Sequence, residues 1–181
     1  MHHTGSWFLL AFIGLCVASM LLVLHLTSVG KLIQQHIPDR PQRRLFLASV
    51  SFCITFISVR LLVSSITHHV GPFGWVEMGG VHVHHLVWGI LILLLVGYGE
   101  LTEVADRNTP VSILLSRLFS LSYGVGAALT LDEFAIWLNL NASAYWGSQG
   151  RESIDAVIVF GAILAMGTWG APLFRHLFRV H

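Results

Sequence analysis

Long apolar runs separated by short polar stretches dominate the chain. A bilayer core of about 30 Å needs roughly 20 residues of helix to cross it. Five runs approach or exceed that length: Trp7 to Val29, Leu45 to Ile66, His85 to Tyr98, Val111 to Leu140 and Ile154 to Phe174. The third is short and the fourth is long. The pattern predicts an all-α, polytopic membrane helix bundle of about five transmembrane helices, forming one domain over residues 1–181.

Composition agrees with a membrane location. Of the 181 residues, 55% are hydrophobic and 10% are charged, whereas a soluble domain carries about 25% charged residues. The formal net charge is +1, and no basic run is dense enough to hold a nucleic acid backbone, so we expect no nucleic acid partner. Cys16 and Cys53 both fall inside apolar runs, where reduced, buried packing is the favoured interpretation.

The distribution of cations predicts the orientation. Eight of the ten cationic residues would lie on one side of the membrane if the five spans alternate: Lys31, Arg40, Arg43, Arg44, Arg107, Arg117, Arg175 and Arg179. Cytoplasmic loops are enriched in Lys and Arg. This rule predicts a cytoplasmic C-terminus and an N-terminus on the outside.

The same alternation sends the unusual polar residues to the outer face. Three separate stretches contribute to this layer: the histidine-rich segment before the third run, the end of the fourth run, and the start of the fifth. Their ionisable residues are His82, His84, His85, Asp132, Glu133, Glu152 and Asp155. The two remaining cations, Arg60 and Arg151, fall in the same layer.

Imidazoles and carboxylates gathered at one depth favour a divalent metal, with zinc preferred and iron or manganese as alternatives. His82 and His85 share a face if the segment is helical, whereas His82 and His84 share one if it is extended. The expected ligands are His82, His84, His85, Asp132 and Asp155. We expect Glu133 and Glu152 to act as catalytic general bases, with Arg60 and Arg151 in support.

Two structural interpretations compete with the metal site. The histidines could simply hydrogen-bond loop carbonyls, and Asp132 or Glu133 could pair with Arg60 or Arg151 in a structural ion pair. The sequence likewise leaves two classes of function open. A metal-dependent hydrolase acting on a lipid or apolar substrate is the leading hypothesis, and a non-enzymatic ion- or proton-handling transporter, or an accessory subunit of a larger membrane complex, is the alternative. No complete catalytic signature decides whether the chain is an enzyme.

Three motifs, HHLVWG, LTLDEFAIWL and GRESIDAV, resemble those of a group of small bacterial integral membrane proteins. The resemblance covers roughly Val81 to Val157, where all the candidate ligands lie. It implies a location in the bacterial inner membrane and that the three motifs act as a unit. The orientation predicted from the cations then places the site toward the periplasm or exterior. Expected partners are membrane lipid and either further copies of the chain or a larger membrane complex.

Overall fold

A computed structural model describes residues 4–70, 77–78, 81–141, 145–146 and 150–178. In this part of the chain the structure is helical apart from one short hairpin. Its elements are α1 (Thr4–Leu26), α2 (Val29–His36), α3 (Arg40–Thr67), β1 (Glu77–Met78), β2 (Val81–His82), α4 (His85–Leu101), α5 (Pro110–Asp132), α6 (Phe134–Asn139) and α7 (Arg151–Phe178). β1 and β2 pair antiparallel, with Glu77 opposite His82.

Three helices of the described chain, α3, α5 and α7, are long and apolar enough to cross a membrane. Helices α1 and α2 add a fourth candidate if they are counted as one broken span, bent by 76°. The expected third span corresponds to α4, an apolar helix of 17 residues, which at 1.5 Å per residue extends about 26 Å. An all-helical architecture with membrane-spanning candidates therefore agrees with the apolar pattern.

Two expected spans are interrupted. The first run bends after Leu26, and the fourth run is not one helix over Val111 to Leu140 but divides into α5 and α6 at Glu133. Glu133 leaves the helical conformation, with φ −100° and ψ 17°, and serves as both the C-cap of α5 and the N-cap of α6. The hydropathy pattern concealed this break because apolar residues flank the Asp132–Glu133 pair on both sides.

Helix α5 occupies the centre of the bundle and packs against its neighbours on several faces. Val125 and Leu129 lie in one apolar cluster with Val59 and Val63 of α3. Ala127 and Ala128 contribute to a second cluster, which also contains Phe52 of α3 and Val157 and Leu164 of α7. Leu121 joins a third cluster with Leu24 of α1 and Leu47 of α3.

Small residues let the central helices approach closely. A Cβ atom at Gly124 would overlap the Ala48 carbonyl oxygen and the Ser51 hydroxyl of α3. On another face of α5, a Cβ at Gly89 of α4 would lie 2.7 Å from the carbonyl oxygen of Gly126. The α3–α5 and α4–α5 interfaces therefore both depend on the absence of a side chain.

Polar contacts hold the loops at one end of the bundle together. Arg40, at the start of α3, donates to the Asp106 carbonyl oxygen at 2.7 Å and also to the Ala105 carbonyl oxygen, in the loop between α4 and α5. Arg44 forms salt bridges with Glu100 and Asp106. The start of α3, the end of α4 and the loop to α5 consequently meet at this basic end, and Arg60, His85 and Asp132 lie at the other.

Replacing Gly124 with Ala should destabilise the bundle by about 1–3 kcal/mol or more, because the added methyl group would push α5 away from the α3 backbone. Gly97→Ala is the matched control, since nothing lies within 4 Å of a Cβ atom at Gly97. Thermal unfolding of the purified protein in detergent measures both effects. Equal melting temperatures for the two variants would contradict the close α3–α5 contact.

Candidate functional site

The candidate site begins at the N-terminus of α4, where two adjacent histidines adopt different roles. His84 is the extended N-cap residue of α4, with φ −68° and ψ 141°, and His85 is the first helical residue. His82 lies in strand β2, so the backbone is extended at His82 and His84, and the helical alternative for His82 with His85 does not apply. The expected His82 ligand falls outside the part whose side chains the structure describes.

Asp132 is the most deeply buried charged group of the site, with no exposed surface. Its Oδ1 atom accepts a hydrogen bond from Arg60 Nε at 2.5 Å, and its Oδ2 atom contacts His85 Nε2 at 2.9 Å. The Tyr145 hydroxyl donates to the same Oδ2 at 2.6 Å. Groups from three other segments therefore compensate one carboxylate, and the expected Arg60–Asp132 ion pair is present.

The Arg60 side chain contacts both hydrogen-bond acceptors and aromatic rings. Besides the Asp132 carboxylate, it donates through a terminal nitrogen to the Asp132 carbonyl oxygen at 3.3 Å. Its guanidinium carbon lies 4.3 Å from the ring centre of Tyr145 and 5.5 Å from those of Phe56 and Trp146. Cation–π contacts of this kind stabilise a partly desolvated guanidinium.

Tyr145 is kept in its protonated form by its surroundings. Burial raises the pKa of its hydroxyl, and the neighbouring Asp132 carboxylate raises it further through its charge and its hydrogen bond, while Arg60 acts in the opposite direction. The phenol is therefore a permanent hydrogen-bond donor to Asp132 at neutral pH. Nothing in the spacing of Tyr145 along the sequence indicated this contact.

Glu133 points to a different neighbour from Asp132, as expected for successive residues at the end of a helix. Its Oε2 atom accepts the Leu86 backbone N–H at 2.8 Å, an orphan donor in the first turn of α4. Its Oε1 atom lies 2.8 Å from His84 Nδ1 and 3.5 Å from His85 Nδ1. Glu133 thus fixes the N-terminus of α4 and presents one oxygen to both imidazoles.

The acidic residues of α7 do not join this cluster. Asp155 is exposed and forms a salt bridge with Arg151, four residues earlier, at 3.7 Å. Glu152 accepts a hydrogen bond from the Asn139 side chain at 2.6 Å. The two α7 carboxylates, expected as a metal ligand and a general base, have their contacts outside the His84, His85 and Glu133 group.

Ser153 connects α7 to α6. Its buried hydroxyl accepts the Ala135 backbone N–H at 2.9 Å, and Ala135 lies in the first turn of α6. In the structure this hydroxyl satisfies a free donor of the preceding helix, which keeps the break at Glu133 in a fixed geometry.

Trp88 has a buried indole N–H without a hydrogen-bond partner in the described part of the protein. The residue lies one helical turn after His84 and His85 and packs against the apolar cluster that contains Tyr145. Buried donors are nearly always satisfied by protein or by ordered water. Since aromatic residues near a membrane surface are ordinarily belt residues, nothing in the sequence distinguished Trp88 from the others.

Among the side chains that the structure describes, no group of three or more His, Cys, Asp or Glu residues could hold a metal ion. His84 and His85 direct their Nδ1 atoms toward the same Glu133 oxygen, whereas Asp132 is already bonded to Arg60, His85 and Tyr145.

The chain matches no protein-family model, no curated protein and no solved structure.

Asp132→Asn should destabilise the protein by about 3–5 kcal/mol, because it leaves the partly buried Arg60 without a counter-charge. Asp155→Asn is the matched control: it also removes the charge of an Arg-paired aspartate, but from an exposed pair, and should cost about 1 kcal/mol or less. Chemical unfolding in detergent micelles compares the two. Similar losses in both variants would contradict a compensated buried charge at Asp132.

Tyr145→Phe should reduce stability at neutral pH by about 1.5–3 kcal/mol, since it removes a hydrogen bond to a charged group. A free tyrosine ionises near pH 10, and the folded protein raises this pKa. The stabilisation is therefore complete below pH 10 and declines as the pH rises above it. Unfolding measured from pH 7 to 11 should show the wild type and the variant converging, and a gap that widens with pH would contradict the assignment.

Proposed function

We propose that the chain is an integral membrane protein with five spans, whose outward-facing polar cluster binds a divalent metal ion. Three apolar helices of spanning length, the bent pair α1–α2 and the shorter α4 support this topology. The cations that meet at the start of α3 support a cytoplasmic location for that end. The N-terminus is then outside and the C-terminus inside, in the bacterial inner membrane.

The orientation of His85 carries the metal proposal. Its Nε2 atom contacts Asp132 Oδ2, so its Nδ1 atom is left to face the Glu133 oxygen beside His84 Nδ1. A histidine that binds a metal through one ring nitrogen ordinarily donates the other N–H to a carboxylate, which fixes its tautomer and orientation. In this proposal Asp132 is therefore not a direct metal ligand. It hydrogen-bonds to His85 and so orients the imidazole that binds the metal.

The metal ligands in this proposal are His84 and His85, with His82 as the third. His82 stands two residues before His84 in an extended stretch, and residues with this spacing share one side of an extended chain. Three histidines with one open position form a common catalytic zinc site. Because the cluster lacks thiolates, zinc is favoured, with iron or manganese as alternatives.

Electrostatic balance also supports a bound cation. The described residues of the cluster carry one guanidinium, Arg60, against the carboxylates of Asp132 and Glu133. Imidazoles that coordinate a metal are neutral. A divalent ion would supply the positive charge that Arg60 alone does not provide in a layer where Asp132 is fully buried and Glu133 is 4% exposed.

Hydrolysis of a lipid or another apolar substrate is the reaction class that such a site supports. A bound zinc ion supplies an activated water molecule near neutral pH. Glu133 is placed to accept a proton from it, since Oε1 lies beside both imidazoles while Oε2 is anchored by the Leu86 N–H.

A purely structural role is the second candidate, and the complete set of partners around Asp132 favours it. Arg60, His85 and Tyr145 already satisfy this carboxylate, so the network can stabilise the bundle with no ligand. In this case the chain would be an accessory subunit of a membrane complex. A transporter is less well supported because the ionisable cluster is confined to one end of α3, α4 and α5.

Metal analysis of the protein purified without chelators separates these functions. We expect about one equivalent of zinc, iron or manganese in the wild type. The loss of one metal ligand should reduce the metal content to about a tenth or less, since replacing a residue that only hydrogen-bonds to a ligand already lowers metal affinity 10- to 100-fold. His84→Ala should therefore lose the metal and Asp155→Asn should retain it.

Two results would count against the metal site. The first is a metal-free wild type that takes up no zinc, iron or manganese after equilibration with each ion. The second is a stoichiometric metal that survives His84→Ala combined with His85→Ala. Either result leaves the structural role as the better explanation of the cluster.

A further inference from the structure

A second feature lies toward the basic end of the bundle, away from the histidines. An apolar groove of about 380 Å³ opens between α1, α2, α3 and α5, where α1 and α2 meet at 76°. Its lining includes Met20 and Leu24 of α1, Ile33 of α2, Val50 of α3 and Leu121 of α5. A cavity of about 150 Å³ holds a benzene molecule, so this groove has room for a segment of hydrocarbon chain.

Arg117 lies at the edge of this groove. It precedes Leu121 by one turn on α5, and its guanidinium donates to the carbonyl oxygen of Leu24 at 3.4 Å. Both Leu24 and Leu121 line the groove. The cation is therefore next to the apolar walls, about two helical turns inside a helix of membrane-spanning length.

The charge of Arg117 is uncompensated within the described residues. The side chain is partly buried, and it forms no salt bridge with any described carboxylate. A cation inside a membrane helix is costly and ordinarily has an anionic partner.

We propose that this groove and Arg117 form a binding site for an anionic phospholipid. One acyl chain occupies the groove between α1, α2, α3 and α5, and the phosphate lies at Arg117. Basic pockets between membrane helices recognise anionic head groups in this manner. The lipid supplies both requirements of the site, an apolar body and a negative charge at the adjoining edge.

Competition between two lipids tests this proposal. The protein is purified in detergent, exposed to equal amounts of phosphatidylglycerol and phosphatidylcholine with identical acyl chains, and the bound lipids are counted by native mass spectrometry. We expect the wild type to prefer phosphatidylglycerol by roughly fivefold or more, given the strength of one basic residue toward an anionic lipid. Glycerol phosphate, which has the head-group charge without an acyl chain, should not displace the bound lipid.

Substitutions of single arginines test which residue causes the preference for phosphatidylglycerol. Arg117→Gln should reduce the ratio to about one, Arg117→Lys should keep most of it, and Arg151→Gln should leave it unchanged because Arg151 lies at the opposite end. Equal binding of both lipids by the wild type overturns the proposal, and this outcome does not depend on whether any variant folds. Displacement by glycerol phosphate, or an undiminished ratio in a monodisperse Arg117→Gln protein, also overturns it.

Discussion

The Asp132 carboxylate is the constraint on which the rest of the bundle depends. A charged group with no exposed surface costs several kcal/mol unless donors surround it. Here the donors come from α3, from α4 and from the segment between α6 and α7, through Arg60, His85 and Tyr145. Sliding α3 along α5 by one turn, about 5.4 Å, would separate Arg60 from Asp132. The compensation of this one charge thus fixes the relative depth of three elements.

The break in the helix after Asp132 is explained by the contacts of the next residue, Glu133. On a continuous helix Glu133 would point about 100° away from Asp132, and both carboxylates would remain at the level of α5. By leaving the helical conformation, Glu133 instead reaches the N-terminus of α4 and accepts the Leu86 N–H. A carboxylate is favoured at this position because unpaired N–H groups and the helix dipole attract negative charge. The unit that holds α4 on α5 is therefore the pair Asp132–Glu133.

Periodicity and charge predicted the parts of this arrangement that depend on a single segment. The apolar runs indicated the helices, and Arg60 was a named partner for Asp132. The sequence could not decide where the helix containing His85 begins. It also could not show that Tyr145 approaches Asp132, because that contact joins residues 13 positions apart across two helix ends. Asp155 was grouped with the histidines by depth alone, whereas its side chain is exposed on α7.

Arg60 and Arg117 present the same physical problem with different solutions. Both are partly buried guanidinium groups in helices of spanning length. Arg60 has a carboxylate at 2.5 Å and three aromatic rings around it, so the protein itself provides its environment. Arg117 has a backbone carbonyl at 3.4 Å and an apolar groove beside it. Since an unpaired cation in such a helix carries an energetic penalty and no described carboxylate forms a salt bridge with Arg117, the anionic lipid that we propose would supply for Arg117 the compensation that Arg60 finds within the chain.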